Sequence, residues 1–128
     1  MSEPRWLTLA QVTRIHQEQL VIFSGPAGVC DVGLLLSAID RPRNKWSYGE
    51  RDLAALAAAY GFGLAKNLPF VDGNKRAAFA AIIVFMAKNA APIDPAPADA
   101  TRVIMELAAG QLTETELTAW ISQNLAKP

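Results

Sequence analysis

Residues 77–87 read AAFAAIIVFMA, the longest uninterrupted apolar run in the chain. Alanine at this density favours helix, and a helix that is apolar on nearly every face has no side to turn to water. Crossing a bilayer as a helix takes about 20 such residues, so this run is too short to span one. It must be packed inside a protein core. A chain of 128 residues builds one such core in one domain. With 52% hydrophobic residues, disorder is not expected. The expected fold is all-α, a compact single-domain bundle over 1–128 of about six helices around this central hydrophobic helix.

The remaining helices follow from capping pairs and stop signals. Thr8 with Gln11 resembles a capping box, and Leu9, Val12, Ile15, Leu20 and Phe23 follow at helical spacing. SGPAG at 24–28 breaks that helix. Asp31 can cap a short second helix carrying Leu34, Leu35, Leu36 and Ile39. DRPRNKWSYGE at 40–50 reads as a polar loop because of its proline, and Ser47 with Glu50 suggests a second capping box. A third helix over about 50–66 ends near Asn67, and Pro69 pushes Leu68 out of α geometry. The fourth, starting at Asp72 or Gly73, runs to about Asn89. APIDPAPAD then forms a linker, a fifth helix spans about 98–109 with Gly110 as its stop, and Thr113 with Glu116 opens a last helix to about Leu125.

Several functions are disfavoured at once. Twelve Lys and Arg balance twelve Asp and Glu, which argues against a dedicated nucleic-acid binder. Cys30 is the one cysteine, so neither an intrachain disulfide nor a cysteine metal cluster can form. Cys30 reads as a small apolar filler. The first residues, MSEPRWLTLAQ, lack a signal-peptide core, so the expected location is cytoplasmic, with no membrane contact. His16, the single histidine, lies on the apolar stripe of the first helix and reads as structural. Trp6, Trp46 and Trp120 read as packing residues, with Trp46 the best placed for an exposed contact. Asp94 reads as a turn former and Asp99 as a helix cap.

The unusual stretch is DGNKR, 72–76. It places Lys75 and Arg76 in the first turn of a helix, where the macrodipole is already positive. The first amides of a helix lack internal partners and make an anion site, which a glycine leaves open to close approach. Arg76 could grip a phosphate with two bonds and Lys75 could act as a point charge. Asp72 beside them could hold Mg²⁺, which takes one or two carboxylates along with phosphate oxygens. The plainer reading stands beside this: Asp72 as N-cap, Gly73 as turn residue, and two solvated cations.

LPFVDGNKR at 68–76 resembles the signature of the Doc (death-on-curing) branch of the Fic/Doc family, His-x-Phe-x-Asp-(Ala/Gly)-Asn-Lys-Arg, at eight of nine positions. GLLLSAIDRPRN, DLAALAAAYGFGLAKN and AAFAAIIVFMAKN also look like death-on-curing proteins. The resemblance implies an all-α fold and a toxin that transfers phosphate from ATP to a threonine of a translation factor of the EF-Tu kind. It implies that Asp72 binds Mg²⁺, that Gly73 and Asn74 shape the anion turn, and that Lys75 and Arg76 bind phosphate and stabilise developing charge. Phe70 would be buried to anchor the loop, and 41–48 would be the flap that positions the target. The AMP-transferring Fic branch usually has Gly where Lys75 stands, so Lys75 favours the kinase. The implied partner is a Phd-like antitoxin whose flexible segment folds into a helical groove, with Val21, Ile22 and Phe23 or Trp120 and Ile121 as candidate walls.

The departure is Leu68, where the family has the histidine that takes the proton from the attacking hydroxyl. Leucine accepts no proton, and loss of a general base typically costs about 10²–10⁴-fold. Three explanations follow: an inactivating substitution, a degenerate member that still binds nucleotide or antitoxin, or another base. The chain is therefore expected to be catalytically impaired, with a non-catalytic binding module or a Fic-type AMP transferase as the alternatives.

Overall fold

In the computed structural model the described residues are 2–23 and 28–127, without the side chain of Phe23. They form six helices: α1 (Leu9–Phe23), α2 (Val32–Ser47), α3 (Leu53–Asn67), α4 (Asn74–Lys88), α5 (Pro97–Ala108) and α6 (Glu114–Gln123). Two isolated bridges, Val29 with Phe70 and Ile93 with Leu125, are the only extended pairings among the described residues. The all-α expectation holds. The break expected at 24–28 falls, apart from Gly28, outside the described residues.

The centre of the bundle is α3 rather than α4. Ten α3 residues from Ala54 to Leu64 are buried, and α2, α4, α5 and α6 all pack on it. Its alanines present only methyl groups, so neighbouring helices come close. A side chain at Gly63 would sit 3.3 Å from Cα of Ala38 on α2. The apolar run of α4 is half of this arrangement: Ala77, Ala78, Ala81, Ile82, Phe85 and Met86 are buried, while Ile83 and Val84 stay exposed. Uniform apolarity marked α4 as the centre, but small size, not apolarity, lets one helix touch four others.

The chain from Asp40 onward is not a loop. Helix α2 continues through Pro42 to Ser47, with Tyr48 and Gly49 forming the turn. Proline removes one helical hydrogen bond and usually ends a helix. Here Pro42 is buried, and its packing against the bundle outweighs the local preference. The expected flap at 41–48 is therefore mostly the last two turns of a helix. The box expected from Ser47 and Glu50 does not form. Ser47 bonds back to the Arg43 carbonyl, and Asp52 caps α3 by accepting from the Ala54 amide at 3.0 Å.

Other expectations survive in detail. Thr8 and Gln11 exchange hydrogen bonds ahead of α1, and Thr113 with Glu116 completes a capping box on α6. Gly110 turns at φ +73° just beyond α5. Asp99 is no cap: it lies inside α5, where its carboxylate accepts from Trp120 Nε1 at 2.7 Å and from Arg102. These bonds, Trp120 first, hold that carboxyl below the usual range. Trp46 is half-buried, edge-on to Trp6, and the fully open aromatic is Tyr48. Cys30 is exposed rather than a filler. Tyr60, buried in α3, accepts the Leu7 amide, and burial pushes its hydroxyl up to about 12.

Candidate functional site

The turn between α3 and α4 is assembled from four directions. Helix α3 ends at Leu68, whose backbone is left-handed at φ +50° and ψ +52°. From the 28–31 segment, the Cys30 and Asp31 amides donate to the Pro69 carbonyl, and the Val71 amide donates to the Gly28 carbonyl. From α4, the Asn74 side chain clamps Phe70, accepting its N–H at 2.9 Å and donating to its carbonyl at 3.0 Å. From α1, the His16 ring stacks on Phe70 with centroids 3.7 Å apart, and Nε2 donates to the Asp72 carbonyl at 2.6 Å. Phe70 is buried beneath the loop, as the anchoring role requires.

Above this base lies a cleft of about 320 Å³, lined by Ala65, Leu68, Val71, the run 72–76 and Ala108. The sequence-selected residues Leu68, Asp72, Gly73, Asn74, Lys75 and Arg76 all meet there. Gly73 is the N-cap of α4 at φ +77°, a conformation glycine adopts freely, and no side chain caps the helix. Its own amide donates to Asp72 Oδ1 at 2.8 Å. Among the described residues, the amides of Asn74 and Lys75 have no acceptor. No acidic residue lies in this first turn, where Lys75 and Arg76 follow directly. The cleft thus has two unpaired helix N–H groups, two cations and one carboxylate at its mouth.

Leu68 breaks a local rule here. A residue with a side chain is disfavoured in the left-handed region by roughly 1–2 kcal/mol, less for Asn or His. Leu68 is also 59% exposed, as other apolar residues such as Val21, Ile22 and Met105 are open to solvent. Local rules give way most often at functional positions.

The expectation that His16 is structural holds, since it is 2% exposed. Its approach to the turn is new, because the two lie 56 residues apart. It sits beneath the loop rather than in the cleft, so it does not stand in for a base at position 68. A larger hollow of about 650 Å³ lies elsewhere, between α2 and α3, with Arg41, Lys45, Tyr48, Phe62 and Lys66 on its walls. Arg41 and Lys45 are both ion-paired to Glu114 of α6. Burial alone would push the Glu114 carboxyl up, but bonds from Lys45 and Arg41 outweigh it and hold the group below the usual range. Of the candidate groove walls, Val21 and Ile22 are exposed at the end of α1, whereas Trp120 and Ile121 belong to the core. Phe23's side chain lies outside the description.

The fold is an all-α bundle with a cleft at the start of α4 that Leu68 and residues 72–76 line together. A comparison with known protein families matches residues 6–86 to the Fic/DOC family, a stretch running from ahead of α1 into the last turns of α4. The chain belongs to the Fic/DOC family. Proteins of this family transfer nucleotide or phosphate groups and bind nucleotide together with metal. A comparison with curated proteins finds no match. Among the described residues, no helix is long and apolar enough to cross a membrane.

Proposed function

We propose that the chain is a Doc-like toxin scaffold built to transfer phosphate from ATP to a protein hydroxyl, and that Leu68 leaves it without the proton acceptor. The observation that carries this reading is the pair of unpaired amides at Asn74 and Lys75, flanked by two cations, in a cleft that position 68 also lines. The nucleotide phosphates would rest on the start of α4. Lys75 and Arg76 would neutralise charge that spreads over the equatorial oxygens as the γ-phosphoryl moves. In that transfer the attacking hydroxyl oxygen bonds to the γ-phosphorus, the bond to the β–γ bridging oxygen breaks, and ADP leaves. The hydroxyl proton needs an acceptor, and the Leu68 side chain has none.

Asp72 fits a Mg²⁺ that comes with the nucleotide. Its carboxylate is exposed at the cleft, and among the described residues no cluster of three or more His, Cys, Asp or Glu could hold a metal alone. Bound there, Mg²⁺ would supply positive charge that neutralises the phosphates. Lys75 in place of glycine favours phosphate over AMP transfer. The target would be a translation factor of the EF-Tu kind, the inhibitor a Phd-like antitoxin, and the location cytoplasmic.

The test is Leu68→His. The restored protein is expected to arrest growth of its host and to place phosphate from labelled ATP on the target. A harmless, inactive Leu68→His protein that still binds ATP would instead support the second reading, a nucleotide- or antitoxin-binding module, which the exposed Leu68 favours. Transfer of the adenylyl group would move the assignment to the AMP-transferring branch.

A further inference from the structure

We propose that His16 is a positioning residue for the phosphate-binding turn, setting the direction of the Asp72–Gly73 peptide from beneath; the functional part of this rests on the reading above. The imidazole is held flat against Phe70, with the two rings inclined by only 4°. That stacking fixes the ring plane, and with it the direction of Nε2. A carbonyl can only accept, so Nε2 carries the proton in the 2.6 Å contact with the Asp72 oxygen.

The consequence follows from peptide geometry. In a trans peptide the C=O and the following N–H point in opposite directions. Drawing the Asp72 carbonyl down to His16 therefore turns the Gly73 N–H up, to the side where it meets Asp72 Oδ1. The same constraint holds Gly73 at its left-handed φ of +77°, from which α4 begins. A Cβ on Gly73 would lie 3.5 Å from His16 Nε2, so the turn rests directly on the ring. His16 contributes no atom to the cleft and takes no part in proton transfer. Its part is to keep the first amides of α4 converging on one point, which is what an anion site needs.

Stacking and hydrogen bonding can be separated by two variants of the full chain. His16→Phe keeps a flat ring on Phe70 and removes the donor. His16→Gln removes the ring and keeps an amide donor at about the same reach. Amide hydrogen exchange of Gly73 and Ala77, whose N–H groups are bonded to Asp72 Oδ1 and to the Gly73 carbonyl, is expected to quicken about five- to tenfold in His16→Phe, the scale of one lost hydrogen bond. His16→Gln should stay near the unmutated rate, and Ile82 to Met86 in the core of α4 should not change in either. Unchanged turn amides in His16→Phe, or equal acceleration in both variants, would overturn the proposal.

The imidazole spectrum needs no variant, because the chain has one histidine. A neutral ring protonated on Nδ1 with Nε2 bare would also overturn it. Affinity for ATP and inorganic phosphate should fall by a similar factor in His16→Phe and recover in His16→Gln. If the unmutated protein binds neither, the proposed function fails while the exchange rates and the ring tautomer still decide the role of His16.

Discussion

Two helices of this chain begin in opposite ways. At α6, Thr113 and Glu116 close a reciprocal box, and Glu114 and Glu116 put negative charge at the positive end of the dipole. Glu114 also takes Arg41 and Lys45 from α2, so the α6 start is satisfied by the protein itself. At α4, the cap is a glycine without a side chain, the first turn carries no acid, and Lys75 and Arg76 follow. One sequence thus contains a helix start finished for stability and one left unfinished. The unfinished one lies in the cleft, and the difference teaches where an external anion is expected to complete the structure.

The largest expected effect separates the two halves of the chemistry. Leu68→His should raise phosphate transfer by about 10²–10⁴-fold, measured with labelled ATP and a translation-factor substrate. It should leave α6 untouched, and a rate that does not rise would remove position 68 from the account. Next is affinity: Lys75→Ala should weaken ATP binding by about tenfold, one charged contact's worth, in calorimetry. Equal binding before and after would mean that Lys75 is merely solvated.

How far the contrast could be read from sequence is instructive. Both starts were legible, since Thr113 with Glu116 and the run DGNKR are local patterns, and local patterns fix caps. The family motif likewise placed Asp72 to Arg76 on one turn. Two things were hidden because they are long-range. Pro42 reads as a breaker until its burial in the bundle is known, and His16 gives no sign that it lies under residues 70–73. The choice of α3 over α4 as the centre needed the close approach of Ala38 to Gly63, which periodicity does not encode.

The satisfied start should depend on pH. Because its bonds hold the Glu114 carboxyl below the usual range, Glu114 contributes stability above its unfolded value near 4.5 and loses it as pH falls through the lower folded one. Glu114→Gln should cost about 1–2 kcal/mol in urea unfolding at pH 7, with the gap closing as the pH drops below about 4.5. A gap that widens in acid would contradict the assignment.

The smallest pair differs in sign. Thr113→Ala should lower stability by about 1 kcal/mol. Lys75→Ala should raise it by a few tenths, up to about 1 kcal/mol, because a cation leaves the positive end of a dipole. Both are read from urea midpoints, and a loss in both would erase the contrast.

The central claim is that the start of α4 is a cradle for phosphate, and amide chemical shifts during an ATP titration test it most directly. The account predicts saturable shifts of the Gly73, Asn74 and Lys75 amides, while Glu114, Thr115 and Glu116 at the start of α6 stay fixed. Equal movement at both helix starts, or none at α4 with millimolar ATP present, would contradict it.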